Sequence, residues 1–254
     1  MERNTNYTIA EGYRLPSEGL IYDVAVNPEI ELRSMSARDE MKRLNPTSTP
    51  FKTLADIIEG CMLEKPAIHV YDMAIGDYEY LLHKLRIVTY GKEYKLELVC
   101  PNCGETVEVE ADLESLELKE FDIDKFNSLR TFMLPRSNKE VTLKFQTPHM
   151  LDMIDTKARD LKRKFKAAEI NFEVFSTLTN VIDLVDGKKL SQVELETFIN
   201  TLPALDMNKI MLNLDALNSC VGLDNNLTVT CDKCGGDIKT FFRFGTEFFR
   251  PTNI

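Results

Sequence analysis

Six cysteines carry most of the chemistry open to this chain, and four of them fall in two runs of one form, Cys100-Pro-Asn-Cys103-Gly104 and Cys231-Asp-Lys-Cys234-Gly235. A Cys-x-x-Cys pair holds a soft metal ion through its thiolates, and the glycine that follows lets the backbone turn tightly beneath the metal. Two such knuckles brought together surround one Zn2+ tetrahedrally. A closed four-thiolate site staples chain segments and keeps no open position for catalysis. Iron suits four thiolates as well. A dithiol redox site would need one Cys-x-x-Cys opening a helix, whereas these runs are flanked by strand-like sequence. Cys61 and Cys220 stand apart. His69, His83 and His149 are dispersed, none is near a knuckle, and no HExxH, GxSxG, P-loop or dinucleotide fingerprint occurs. The residues therefore read as one structural metal site, with Cys100, Cys103, Cys231 and Cys234 as ligands, and no enzyme.

The elements that must position those cysteines can be read from periodicity. Tyr94 to Val99 alternates into the first knuckle and Thr106 to Leu113 alternates out of it; Leu227 to Thr230 and Ile238 to Phe244 repeat the pattern around the second. Each knuckle should sit on the tip of a hairpin. The 127 residues between Cys103 and Cys231 far exceed the roughly 15–20 of a compact zinc ribbon, so the ribbon is split by an insertion. Helical spacing marks Thr53 to Glu64, with Cys61 on its buried stripe, and Asp77 to Val88, with Asp77 as its cap. A helical block runs from 147 to 217. It comprises a Thr147-capped helix with Met150, Ile154, Ala158, Leu161 and Phe165 on one face, a second helix over Ala168 to Leu184, a third opened by the Ser191/Glu194 capping box, and a fourth capped by Asp206. Residues 1–53, broken by Pro16, Pro28, Pro46 and Pro50, read as an extended N-terminal arm with one short helix from Ser36. The expected fold is α+β: split four-cysteine zinc-ribbon β-hairpins in a body of residues 54–146 and 218–254, a large helical insertion over 147–217, and the arm.

Charge narrows the partners. The net charge of −10 and pI near 5.0 disfavour nucleic acid and anionic membranes. The chain has neither a membrane-length apolar run nor a signal-like apolar start, which reads as a soluble protein made in the cytosol. Against the acidic average, Lys157, Arg159, Lys162, Arg163, Lys164 and Lys166 crowd one helix, while Glu105 to Asp124 holds nine acids and a single lysine. Beyond a solvated face, the bases could dock an acidic protein surface or nucleic acid, and packing of one patch on the other between copies is conceivable. Five of the fourteen phenylalanines, Phe241, Phe242, Phe244, Phe248 and Phe249, fall within nine positions. That density exceeds what one face of a strand can bury. Core burial and partner contact both remain open for these rings.

Leu15-Pro-Ser-Glu-Gly19-Leu-Ile-Tyr22, then Asp77-Tyr-Glu-Tyr-Leu-Leu-His-Lys-Leu-Arg86-Ile-Val-Thr-Tyr-Gly91, then Cys100-Pro-Asn-Cys103-Gly, in that order over about the first 105 residues and with a matching second knuckle, resemble the baseplate hub and hub-assembly proteins of T-even-like contractile-tailed bacteriophages. The resemblance implies a non-enzymatic part in building or forming the central baseplate, with other tail proteins and further copies of the chain as partners. It also implies a place in the host cytoplasm during assembly or in the virion tail baseplate. The competing reading is a zinc-ribbon nucleic-acid-binding regulator using the basic helix, against which the −10 charge weighs.

Overall fold

The computed structural model describes residues 10–249 except 168, 243 and 245. Strands β1 (Ala10–Arg14) and β2 (Glu29–Arg33) form an antiparallel hairpin. The segment expected as an extended arm thus carries regular structure, and its Leu15, Val26, Ile30 and Leu32 are buried in the same core as the helices that follow. Helix α1 (Ala37–Arg43) opens with a capping box in which Ser36 and Asp39 satisfy each other's N–H groups. Helix α2 (Pro50–Cys61) starts three residues earlier than its apolar stripe suggests, because Pro50 suits the first helical position. Leu54, Ala55, Ile57, Ile58 and Cys61 line its buried face. Helix α3 (Ile75–Tyr90) is the central element: nearly its whole length is buried. It ends at Gly91, whose φ of +86° only glycine adopts readily, and there the chain turns into β3 (Glu93–Val99) and β4 (Thr106–Asp112).

A second core gathers around helix α4 (Ile123–Arg130), a three-stranded sheet and four further helices. The sheet order is β5 (Thr131–Met133), β6 (Glu140–Leu143), β7 (Ile182–Val185), all antiparallel. Between β6 and β7 run α5 (Pro148–Lys164), capped by Thr147, and α6 (Phe172–Val181); after β7 come α7 (Gln192–Thr201), capped by the Ser191/Glu194 box, and α8 (Ala204–Ser219). The expectation of a helix over Ala168 to Leu184 is corrected here. Helix α6 stops at Val181, and Ile182 to Val185 extend to pair with β6, with Leu143 opposite Ile182 and Val141 opposite Val185. A branched apolar run beside an open sheet edge gains more from pairing than from another helical turn. Asp206 does not cap α8 from the N-cap position either, which Pro203 takes; its carboxylate accepts from the N–H groups of Arg136 and Ser137 at 2.8 and 2.9 Å. Phe165 lies past the end of α5 and is 47% exposed, so it does not complete that helix's buried stripe.

The chain closes with β8 (Asn226–Thr230) and β9 (Asp237–Phe241), an antiparallel hairpin. Two tight joints bind its approach to the rest. Gly76 in the first turn of α3 lies against Val221, where a Cβ would come within 2.3 Å of the Val221 carbonyl oxygen. The Lys119 N–H donates to the Gly222 carbonyl and the Asp224 N–H to the Glu117 carbonyl, beside a Leu118–Leu223 bridge.

Candidate metal centre

The two hairpins bring their tips together with one bonding pattern. In the first, the Cys100 N–H donates to the Glu105 carbonyl and the Gly104 N–H returns to the Cys100 carbonyl; in the second, Cys231 donates to Gly236 and Gly235 returns to Cys231, all four at 2.9 Å. Gly104 and Gly235 have φ of +77° and +71°, which explains the glycine after each second cysteine. The Sγ atoms of Cys100 and Cys234 lie 3.7 Å apart and those of Cys103 and Cys231 3.8 Å, with all four within 4.8 Å of one another. Disulfide sulfurs would be about 2 Å apart. A regular tetrahedron with metal–sulfur bonds of about 2.3 Å has edges of about 3.8 Å, so the observed spacing fits a single tetrahedral ion. Among the described residues this is the one cluster of three or more candidate ligands so disposed.

The electrostatics fit a cation as well. N–H groups of Cys103 and Asn102 point at the Cys100 sulfur and, against partial desolvation, draw its pKa down to about 7. Cys103 and Cys234 resist ionising beside it. Cys103 is raised, although the Glu105 N–H favours its thiolate, and Cys234 is pushed up to about 12 by crowding from Cys103 and Cys100, although the Gly236 N–H favours its thiolate. Ionising all four at this spacing would call for a positive centre between them.

Packing supports the knuckles from beneath. Cys100 and Cys231 are buried with Val107 and Ile238 in a small core of their own, while Cys103 and Cys234 face outward. The hairpin registers deliver this: Leu98 faces Val107 and Val229 faces Ile238. Knuckle meets knuckle at Gly236, where a Cβ would fall 2.2 Å from Asn102 Nδ2, and Asn102 Nδ2 donates to the Asp237 carbonyl at 3.4 Å. At the base of the first hairpin, the buried Arg86 donates to the Gly91 carbonyl at 2.8 Å and stacks near Tyr90 and Tyr94, clamping the turn that launches β3.

The other candidate residues lie elsewhere. Phe242, Phe244, Phe248 and Phe249 are buried in the first core, where Phe244 meets His83 edge-on and Phe248 meets Tyr94, whereas Phe241 is exposed. Four of the five rings therefore serve this chain's own core. Cys61 is buried and its thiol pushed up to about 12 by that burial; the Cys220 thiol donates to the Leu217 carbonyl. His69 caps a short turn through Nδ1, His149 stacks on Tyr71, and His83 contacts the Leu113 carbonyl at 2.8 Å. None of the three joins the cysteine cluster.

Sequence reasoning missed one constellation altogether. Asp77 is wholly buried and accepts from the Ser17 N–H at 3.0 Å, from the Ser17 hydroxyl, and from the Tyr22 hydroxyl at 2.6 Å; the Tyr22 oxygen in turn accepts from the Ala74 N–H at 3.0 Å. Two of the three stretches that carry the family resemblance, Leu15 to Tyr22 and Asp77 to Gly91, are thus halves of one hydrogen-bond network. No local pattern announces a contact across 60 positions.

A family model described as T4 bacteriophage base plate protein matches residues 14–250, a span that takes in the Ser17–Asp77 network, both knuckles and both large cores. No curated protein and no solved structure matches the chain. A match over nearly the entire sequence makes this chain a member of the T4 bacteriophage base plate protein family.

Proposed function

We infer that the chain is a component of the baseplate hub of a contractile phage tail, or a factor that assembles the hub, acting through contacts with other tail proteins and without catalysis. One structural Zn2+ would be held by Cys100, Cys103, Cys231 and Cys234. Family membership supports a structural baseplate role. The observation that carries the zinc part is the tetrahedral spacing of four thiolates contributed by hairpins more than 120 positions apart in the chain. A bound divalent ion would offset half of the charge of four thiolates and cross-link two hairpins 128 positions apart in the chain, giving partners a preset surface.

Two measurements test this reading. Elemental analysis of purified protein should give one zinc per chain, and Cys103→Ser should lose it; a metal-free protein of unchanged thermal stability would overturn the zinc site. Co-expression with the other tail proteins of the same phage should yield a stable complex that the isolated chain enters without turnover. Failure to enter any such complex would overturn the hub assignment. Among the described residues no helix is long and apolar enough to cross a membrane.

A further inference from the structure

Two surfaces of this chain carry charged groups that have no partner of opposite sign among the described residues, and each has an exposed apolar residue beside those groups. The first is the outer face of the β3–β4 hairpin. Alternation places Glu97, Val99, Glu108 and Glu110 on that face, all exposed, and the register sets Glu97 directly opposite Glu108. Like charges opposed across a strand pair destabilise the hairpin that carries them. Lys92 relieves Asp112 and Glu114 at 3.1 and 3.2 Å, and Lys95 faces Glu110, but among the described residues no cation pairs with Glu97 or Glu108. Val99, beside them, is 66% exposed.

The second surface is the end of α5. Every residue from Lys162 to Ala167 is exposed. Arg163 is paired with Asp160 and Arg159 with Asp155, while Lys162, Lys164 and Lys166 have no carboxylate partner among the described residues. Phe165 lies among them, half-exposed, with one side of its ring tilted against Phe172 at 6.3 Å and the Lys164 ammonium 5.3 Å from its centre. An exposed aromatic ring flanked by unpaired cations is the composition of an interface centre, and the hairpin face offers its inverse: an exposed valine at the end of a row of acids.

We propose that these two surfaces dock on each other between copies of this chain, the Phe165 knob of one copy seating beside Val99 of the next, with Lys162, Lys164 and Lys166 against Glu97 and Glu108. Because the two patches differ, the contact is heterologous; it closes as a ring or as a two-fold pair in which it is made twice. The partner's lysines would relieve the Glu97–Glu108 repulsion, so a pairing that costs the single chain stability serves the assembly. This assignment stands on charge, register and exposure, and is independent of the metal and hub readings.

The test is sedimentation velocity on nuclease-treated, metal-loaded full chain. At low ionic strength the wild type should run at no less than twice the 29.1 kDa chain mass and dissociate as salt is added. Lys162→Glu/Lys164→Glu and Glu97→Lys/Glu108→Lys should each weaken association about tenfold or more, and mixing the two variants should restore it. The single change Glu108→Lys is the folding control: it should raise the melting temperature, since a favourable cross-strand pair replaces a repulsive one, while still weakening association. A monomer at low salt overturns the proposal, as does association that neither reversal changes. Retention of nucleic acid by the wild type, lost in the lysine variant with no change in protein mass, would also overturn it and assign the knob to nucleic acid.

Discussion

The Asp77 carboxylate spends its acceptor capacity on three donors, Ser17 N–H, Ser17 Oγ–H and Tyr22 Oη–H, in a site closed to water. Removing it strands those donors, each costing about 1–3 kcal/mol when buried and unpaired. Asp77→Ala should therefore lower the unfolding free energy by about 3 kcal/mol or more in urea titrations, and Tyr22→Phe by about 1–2 kcal/mol. The pair should be non-additive, since both substitutions break the same bond. His83 supplies a pH dependence. Burial pushes its pKa from the ordinary 6.5 down to about 4, so the folded chain holds it neutral while the unfolded chain protonates it. Its contribution is present in full above pH 6.5 and is lost as pH falls towards 4. Between those limits stability should drop with a slope of about 1.4 kcal/mol per pH unit from this group. Denaturation curves at pH 7, 6 and 5 should show that slope reduced in His83→Gln relative to the wild type; parallel curves would refute the assignment.

Among the elements, α3 shows how propensity and packing can oppose each other. Glycine inside a helix is worse than alanine by about 1 kcal/mol, so Gly76→Ala should stabilise α3 if only the helix mattered. The structure reverses that sign. A Cβ at 76 would lie 2.3 Å from the Val221 oxygen and 2.7 Å from its carbonyl carbon, both backbone atoms that cannot rotate away. Overpacking of this kind costs about 1–3 kcal/mol, and separating α3 from the 221–222 turn would also pull at the approach to the second knuckle. Thermal unfolding should show Gly76→Ala less stable than the wild type. Gly236→Ala meets side-chain atoms of Asn102, whose amide can swing aside at the expense of its bond to Asp237 while its Cβ at 3.3 Å gives a few tenths of an ångström, so its effect on stability should be smaller.

For the whole molecule, the balance between the cores decides what metal removal does. The two large cores are built from many buried residues of α2, α3, α6 and α8 and do not include the cysteine cluster. The core under the knuckles holds four buried residues, two of them the cysteines themselves. So small a cluster cannot hold two hairpins together without a cross-link. Chelation should therefore act locally: hydrogen exchange should accelerate across β3–β4 and β8–β9 while α3 and α8 keep their protection. Global loss of protection would show instead that the ion holds the entire fold.

The pairing of cysteines within each knuckle, both knuckle turns, the caps at Ser36, Thr147 and Ser191, and the hairpins flanking each knuckle were legible in the residues alone, because each depends on contacts within a few positions. Family membership was legible too, since its motifs are runs of adjacent residues. What tertiary structure alone decided is where a polar or apolar group finds its partner when local and distant ones compete. Asp77 and Asp206 both look like helix caps, yet their carboxylates are taken by Ser17 and Tyr22, and by the Arg136 and Ser137 amides. Ile182 to Val185 leave a helix for a strand because β6 presents an open edge, and four of the five tail phenylalanines turn inward to a core where His83 of α3 and Tyr94 of β3 meet their rings. Any of these choices satisfies the local chemistry; only the assembled chain sets the distance at which the better partner stands.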